Sequence, residues 1–186
     1  MEGGTLAASA AAPLPERNRP LAERIGEAKF ALFYEAVAPR FWAFLFSQCR
    51  DRSLADDLCQ ETFTRVLASG LEPASDEHLT RYLYKTGIHL LRDRGRRSGR
   101  EPLPLLEALD LGARAAPEGL ASDLARALGA LSPRERELLW LAHVEELDHR
   151  AIAETVGARP GSVRVMLHRA RRRLAKLLGR DERKAR

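Results

Sequence analysis

The sequence has few cysteines and no long apolar run, and these absences exclude several classes of protein. Of its 186 residues only Cys49 and Cys59 are cysteines, too few for a disulfide framework or a four-ligand zinc site. No apolar run approaches the ~18 residues that a membrane span needs, and the N-terminus lacks the basic-then-apolar order of a signal peptide. We therefore expect a cytoplasmic protein with no insertion into the membrane.

Motifs of catalysis and of metal binding are missing as well. No histidine pair has H-E-x-x-H spacing, and there is no G-x-S-x-G, Walker A or glycine-rich nucleotide loop. Strand signals are nearly absent, with no Val/Ile/Thr alternation and no Asn-Gly turn. The sequence therefore predicts an all-α protein that is not an enzyme and that needs no cofactor and no metal.

Charge is distributed in an acidic-then-basic order that occurs twice. Residues 21–77 carry 6 basic and 10 acidic groups, and residues 78–100 carry 7 and 1. Residues 121–163 carry 5 and 7, and residues 164–186 carry 10 and 2. Two separate basic patches favour two contacts with one polyanion.

The chain divides into two small helical domains joined by a flexible linker. Residues 1–20 are rich in Ala, Pro and Gly and read as a disordered tail. Residues 98–120 contain prolines and glycines and read as a linker, although their leucines are too apolar for a pure spacer and favour docking on a partner or a neighbouring domain. The domains are then 21–97 and 121–179, followed by a basic tail at 180–186.

In the first domain the sequence predicts helices over 21–37 and 40–50, separated at Pro39. Ser53 to Asp56 resembles a capping box that starts the next helix. One face of that helix is apolar, and the opposite face is acidic and polar. A solvated surface and a contact with a positively charged protein both fit such a face. The residues of this acidic face are Asp56, Asp57, Gln60, Glu61 and Thr64.

A basic helix is predicted from about residue 77 to residue 96. Tyr82 and Tyr84 lie among its basic groups, as a site that stacks a nucleic-acid base requires, although a place in the core fits Tyr82 equally well. A solvated helix surface is the other interpretation of its basic side. The residues on that side are Arg81, Lys85, His89, Arg92 and Arg96.

The second domain contains the strongest signal, a helix–turn–helix over 148–178. A helix over about 122–129 precedes it, and Ser132, Pro133 and Glu135 give an N-cap, a proline at the first position and a capping box for a helix ending near residue 143. Pro160 opens a last, arginine-rich helix with a buried stripe at Val163, Leu167, Ala170, Leu174 and Leu177. Side chains off the stripe can reach base edges or phosphates in a major groove: Arg164, Val165, His168, Arg169, Arg171 and Arg172.

These motifs, in this order, resemble a bacterial RNA polymerase sigma factor of the extracytoplasmic-function (ECF) class. The stretch from Asp56 to Phe63 is similar to the core-polymerase-binding signature of region two. The stretch from Tyr82 to Arg97 is similar to the segment that melts the promoter and reads the −10 element. The stretches 131–136, 152–154, 161–163 and 169–171 resemble region four, which reads the −35 element.

The resemblance implies partners and a role for each surface. The acidic face would bind the clamp helices of the β′ subunit of core RNA polymerase, and apolar residues of the 133–143 helix would contact the β flap. Promoter DNA and an anti-sigma factor are the other implied partners. The implied −10 contacts are Arg81, Tyr82, Lys85, His89, Arg92, Arg96 and Arg97. The implied −35 contacts are Ser162, Arg164, Val165, His168, Arg169 and Arg172.

Two other hypotheses compete with a sigma factor. A stand-alone helix–turn–helix regulator would start its DNA-binding domain with a similar Leu-Ser-Pro-Arg-Glu stretch, but it would carry a receiver domain with strands where residues 21–97 lie. An enzyme or metal protein is the third hypothesis, and stoichiometric zinc would favour it.

Overall fold

The computed structural model describes Leu21, residues 25–98 and residues 118–182. The predicted tail at 1–20, most of the linker at 98–120 and the last residues of the basic tail lie outside the described residues. The described part is all helical and has no strand, which confirms the predicted fold class. Its helices are α1 (Glu27–Cys49), α2 (Arg52–Ala68), α3 (Asp76–Ser98), α4 (Glu118–Gly129), α5 (Pro133–His143), α6 (His149–Val156) and α7 (Pro160–Glu182).

Helix α1 is continuous, so the predicted separation at Pro39 is wrong. Pro39 lies inside the helix and its ring is exposed. An interior proline removes one backbone hydrogen bond and costs about 3 kcal/mol. Phe33 and Val37 are buried on one side of Pro39, and Phe41 and Phe44 on the other. Burial of four such side chains at about 1.5–3 kcal/mol each outweighs that cost.

Helix α2 begins two residues before the predicted start, and its cap is Asp51 rather than Ser53. The Asp51 carboxylate accepts a hydrogen bond from the backbone N–H of Leu54 at 3.0 Å. The predicted cap at Ser53 is wrong because Asp51 is also a favourable N-cap residue, and its extended backbone turns the chain out of α1. The capping box of α5 is confirmed: Ser132 and Glu135 each accept from the other's backbone N–H.

The two helical units pack against each other and share one hydrophobic core. Helix α1 contacts α5, and α3 contacts α6. The ring centroids of Phe44 and Trp140 are 5.9 Å apart across the boundary. The Tyr84 hydroxyl donates to the Glu145 carboxylate at 2.7 Å and accepts from Trp140 Nε1 at 3.2 Å. The basic helix α3 is therefore held against the second unit.

Candidate DNA-binding and partner-binding surfaces

The acidic face of α2 forms as predicted. Its helical spacing places the apolar residues of α2, including Leu58, Phe63 and Val66, in the core. The opposite side turns outward. On it Asp56, Asp57, Gln60 and Thr64 are exposed, and Glu61 is half-buried.

The members of the acidic face differ in how far neighbours already engage them. The Asp56 carboxylate accepts from Trp42 Nε1 at 2.6 Å. Glu61 pairs with Arg65 at 2.6 Å and with Arg94 at 3.2 Å. Asp57 has no ion-pair partner among the described side chains. Asp57 is therefore the carboxylate of this face that is most available to a basic partner.

The side chains on the basic side of α3 differ in whether an ion pair already engages them. Lys85 and His89 are exposed. Arg81 pairs with Glu77 at 2.8 Å, and Arg96 pairs with Asp93 one turn earlier. The side chain of Arg97 lies outside the described residues. The structure therefore places Lys85 and His89 where a nucleic acid can reach them without breaking an ion pair.

Arg92 of α3 faces the second helical unit. Its guanidinium donates to Glu137 Oε2 at 2.8 Å and to the backbone oxygen of Val156 at 3.4 Å. The Glu137 side chain is only 6% exposed. A DNA contact by Arg92 therefore requires that this ion pair be exchanged for a phosphate or a base.

The two tyrosines of α3 have different environments. Tyr82 is half-buried, and part of its ring remains accessible. Tyr84 is fully buried, with its ring 5.2 Å from Phe41 and 5.1 Å from Phe44. Burial, followed by the negative charge of Glu145, raises the pKa of the Tyr84 hydroxyl far above its usual value. The prediction that Tyr84 lies among the basic groups is therefore wrong, and Tyr82 is the tyrosine of α3 that can stack on a base.

The helix–turn–helix forms over α6 and α7. Asp148 caps α6 by accepting from the Ala151 N–H at 2.7 Å. Gly157 ends α6 in the left-handed region at φ 68°, which a residue without a side chain adopts at low cost. Val163 and Leu167 of α7 are buried against α6 and α5, so they fix which face of α7 turns outward.

The outward face of α7 carries most of the predicted DNA-reading side chains. Val165 is 49% exposed, an apolar group beside basic neighbours. Ser162 is half-buried, and its hydroxyl donates to the backbone oxygen of Arg159 at 2.7 Å. This face joins donors for phosphates and bases with one apolar contact for a thymine methyl. Its exposed residues are Arg164, Val165, His168, Arg169, Arg171 and Arg172.

Sequence reasoning missed the polar groups that are buried in the second unit. Arg136 is 5% exposed, and its guanidinium donates to the backbone oxygen of Leu131 at 2.6 Å. Burial, followed by the charge of Arg50, lowers the pKa of Arg136 to about 10. A charged stretch such as Pro-Arg-Glu-Arg-Glu is typical of a solvated helix end, so no signal in the sequence separates Arg136 from its neighbours.

The described residues offer no metal site and no membrane span. No group of three His, Cys, Asp or Glu side chains in the described ranges could hold a metal ion. Cys59 is buried, and desolvation, aided by the charge of Asp56, raises the pKa of its thiol to about 11. Among the described helices, none is long and apolar enough to cross a membrane.

Comparison with family models gives two matches. Residues 33–101 match sigma-70 region 2, and residues 121–174 match sigma-70 region 4. The first match contains the acidic face and the basic helix α3. The second contains the helix–turn–helix.

Curated relatives and a solved structure agree with these matches. The chain is 32% identical to the ECF RNA polymerase sigma factor SigE of Mycolicibacterium smegmatis, over 83% of this chain and 68% of that protein. It is 31% identical to the RNA polymerase sigma factor CarQ of Myxococcus xanthus, over 76% of this chain and 84% of the relative. The fold is similar to the sigma factor RpoE of Bartonella quintana, solved in complex with the anti-sigma factor NepR. That similarity has a TM-score of 0.65 and 26% identity, and covers 81% of this chain and 97% of that one.

Proposed function

This chain belongs to the sigma-70 family of RNA polymerase sigma factors, in its ECF class, and from that membership we propose a division of labour among its surfaces. The exposed acidic face of α2 binds the β′ clamp helices of core RNA polymerase. Helix α3 opens and reads the −10 element, and α7 reads the −35 element. The observation that carries this proposal is the presence, in one chain, of an outward acidic face on α2 and an outward basic face on a helix–turn–helix.

Each DNA-binding surface has the chemistry that its role requires. Lys85 and His89 are exposed on the helix that carries the partly accessible ring of Tyr82, which combines a cation and an imidazole for the backbone with an aromatic surface for an unpaired base. Arg164 and Arg169 on α7 supply the donors that pair with guanine in a major groove. The two basic surfaces lie in separate units, as two promoter elements require.

The remaining assignments follow from the same membership. The protein performs no chemistry of its own and works in the cytoplasm, where core RNA polymerase is found. Its functional domains are 21–97 and 121–179. The apolar side of α5 contacts the β flap, and an anti-sigma factor restrains the protein, as NepR is bound to RpoE in the related complex.

A charge reversal on α2 tests the polymerase contact. We expect Asp57→Lys together with Gln60→Lys to weaken binding to core RNA polymerase by about tenfold to a hundredfold, because like charges then face a basic partner across the interface. The measurement is equilibrium binding of fluorescently labelled protein to purified core enzyme. Glu35→Lys, at an exposed position on α1, is the matched control and should leave the affinity unchanged.

Two results would contradict the proposed function. One is equal affinity of the charge-reversed protein and the wild type for core enzyme. The other is tight, sequence-specific binding of the wild type to duplex DNA as a dimer without polymerase, which would favour a stand-alone regulator.

A further inference from the structure

An apolar groove lies between the two helical units, and of the surfaces assigned above it includes the apolar side of α5 and Arg171 of α7. It has a volume of about 610 Å³ and is bounded by α1, α4, α5 and α7. Its walls are almost entirely hydrophobic and include Trp42, Phe46, Leu128 and Trp140. Leu124, which also lines it, is 39% exposed. Removal of so many neighbouring apolar side chains from water is favourable, so such a groove favours an occupant.

One buried cation lines this otherwise apolar groove. Arg136 is 5% exposed, and within the described part of the chain its Nε and Nη2 atoms have no hydrogen-bond partner. A buried donor without an acceptor is costly, and the cost is largest for a charged group. The two unpartnered nitrogen atoms of Arg136 are shut away from solvent, so an occupant of the groove meets its positive charge but not these donors. Arg171 also lines the groove and is exposed, so it can pair with an occupant directly. The preferred occupant is therefore leucine-rich and carries carboxylates.

We propose that the groove is the docking site of this chain's own segment 102–111, whose sequence is PLPLLEALDL. Five of its ten residues are leucines, and its only charged side chains are Glu107 and Asp110. The leucines supply apolar surface for the walls, and a carboxylate supplies negative charge to the exposed Arg171 and to the buried charge of Arg136. The segment lies between the two helical units in sequence and belongs to neither.

The connectivity allows this segment to reach the groove. The segment ends at Leu111, and α4 begins at Glu118 and forms one wall through Leu124 and Leu128. The seven peptide units from Leu111 to Glu118 span at most about 25 Å when extended, which allows the segment to fold back along α4. Because the segment is tethered, its effective concentration at the groove is in the millimolar range, so weak docking suffices for occupancy.

Docking would also affect the proposed function. Leu139 and Trp140 of α5 line the groove, as does Val144 directly after it, and the apolar side of α5 is the proposed contact with the β flap. An occupant of the groove and the β flap would therefore share contacts with α5. This consequence rests on the proposed function, whereas the docking itself does not.

The two tryptophans of the chain, Trp42 and Trp140, both line the groove, so intrinsic fluorescence reports on its occupancy. The test compares acrylamide quenching of the full chain with that of a variant carrying Leu105→Ser, Leu106→Ser and Leu109→Ser. Each lost leucine should weaken docking about tenfold or more, the factor that corresponds to burial of one such side chain. We expect stronger quenching and red-shifted emission from this serine variant than from the wild type. Leu6→Ser with Leu14→Ser is the matched control and should leave both signals unchanged.

A synthetic peptide of residues 101–112 extends the test. Added to the serine variant, it should restore protection from quenching. The same peptide with Glu107→Gln and Asp110→Asn should bind more weakly, because it offers Arg171 and Arg136 no negative charge. Identical quenching of the wild type and the serine variant would overturn the proposal. Quenching that is identical in both but depends on protein concentration would also overturn it, because a second copy of the chain would then cover the groove. Equal binding of the two peptides would overturn the pairing with Arg171. No polymerase is present, so failure here is distinct from failure of the proposed function.

Discussion

At the scale of single residues, two glycines of α3 meet opposite surroundings. A Cβ atom at Gly87 would lie 2.5 Å from Cζ of Phe41, whereas a Cβ at Gly95 would have no atom within 4 Å. We expect Gly87→Ala to lower the free energy of unfolding by about 1–3 kcal/mol through overpacking of the buried Phe41 ring. We expect Gly95→Ala to raise it by about 0.5–1 kcal/mol through helix propensity. Urea unfolding followed by circular dichroism measures both, and destabilisation by both substitutions would contradict this account of α3.

Residues on regular exposed faces could be predicted from the sequence, because helical spacing alone decides which side chains point away from the core. That holds for Asp57 on α2 and for Arg164 on α7. Tyr84 could not be placed, because its burial depends on Phe41, Phe44 and a unit 60 residues further along the chain. Arg136 could not be placed for a different reason: its acceptors are the nearby backbone oxygens of Leu131 and Gly129, but no pattern in the charged stretch shows that this arginine turns inward.

At the scale of elements, α1 contains a proline that its packing tolerates. We expect Pro39→Ala to raise the free energy of unfolding by up to about 3 kcal/mol, because the substitution restores a backbone donor and removes the clash of the ring with the preceding turn. Pro39 is exposed, so no core contact is lost. Thermal unfolding measures the change. A lower melting temperature for the alanine variant would mean that Pro39 itself stabilises the course of α1.

Helical periodicity and capping residues predicted that most of the helices exist. They predicted the helix boundaries less accurately. Ser132 and Glu135 marked the start of α5 because a capping box is a local pattern. The start of α2 was misplaced because Asp51 and Ser53 are both acceptable caps, and only the exit from α1 selects Asp51. The predicted break at Pro39 is wrong because the unfavourable helix propensity of proline is smaller than the free energy gained by burying the apolar stripe of α1.

At the scale of the whole molecule, the ion pair of Arg92 and Glu137 joins the two helical units. We expect Glu137→Gln to weaken their association by about 1.5–3 kcal/mol, the range for a hydrogen bond to a charged group. Small-angle scattering should then show a larger radius of gyration. Glu154→Gln is the matched control, since it breaks an exposed pair with Arg150, and such pairs contribute about 1 kcal/mol or less. An unchanged radius for Glu137→Gln would contradict the role of this pair in closing the molecule.

The packing of the two units could not be predicted, because nothing local in the sequence pairs Arg92 with Glu137 or Tyr84 with Glu145. The pattern of charges did predict two basic surfaces, and the structure leaves one of them, on α7, open to solvent. The other, on α3, is partly held by the second unit. In the proposed promoter complex Lys85 and His89 of α3 can contact DNA directly, whereas Arg92 can do so only when its ion pair with Glu137 is exchanged for DNA.

Transcription by purified core RNA polymerase on a library of promoter fragments, with and without this protein, tests the central claim most directly. The account predicts start sites that appear only when the protein is present and that share one sequence element near −10 and another near −35. When Arg164 is replaced by alanine, the preference for one particular base should be lost at one position of the element near −35. The same start sites with and without the protein, or none in either case, would contradict its assignment as an initiation factor.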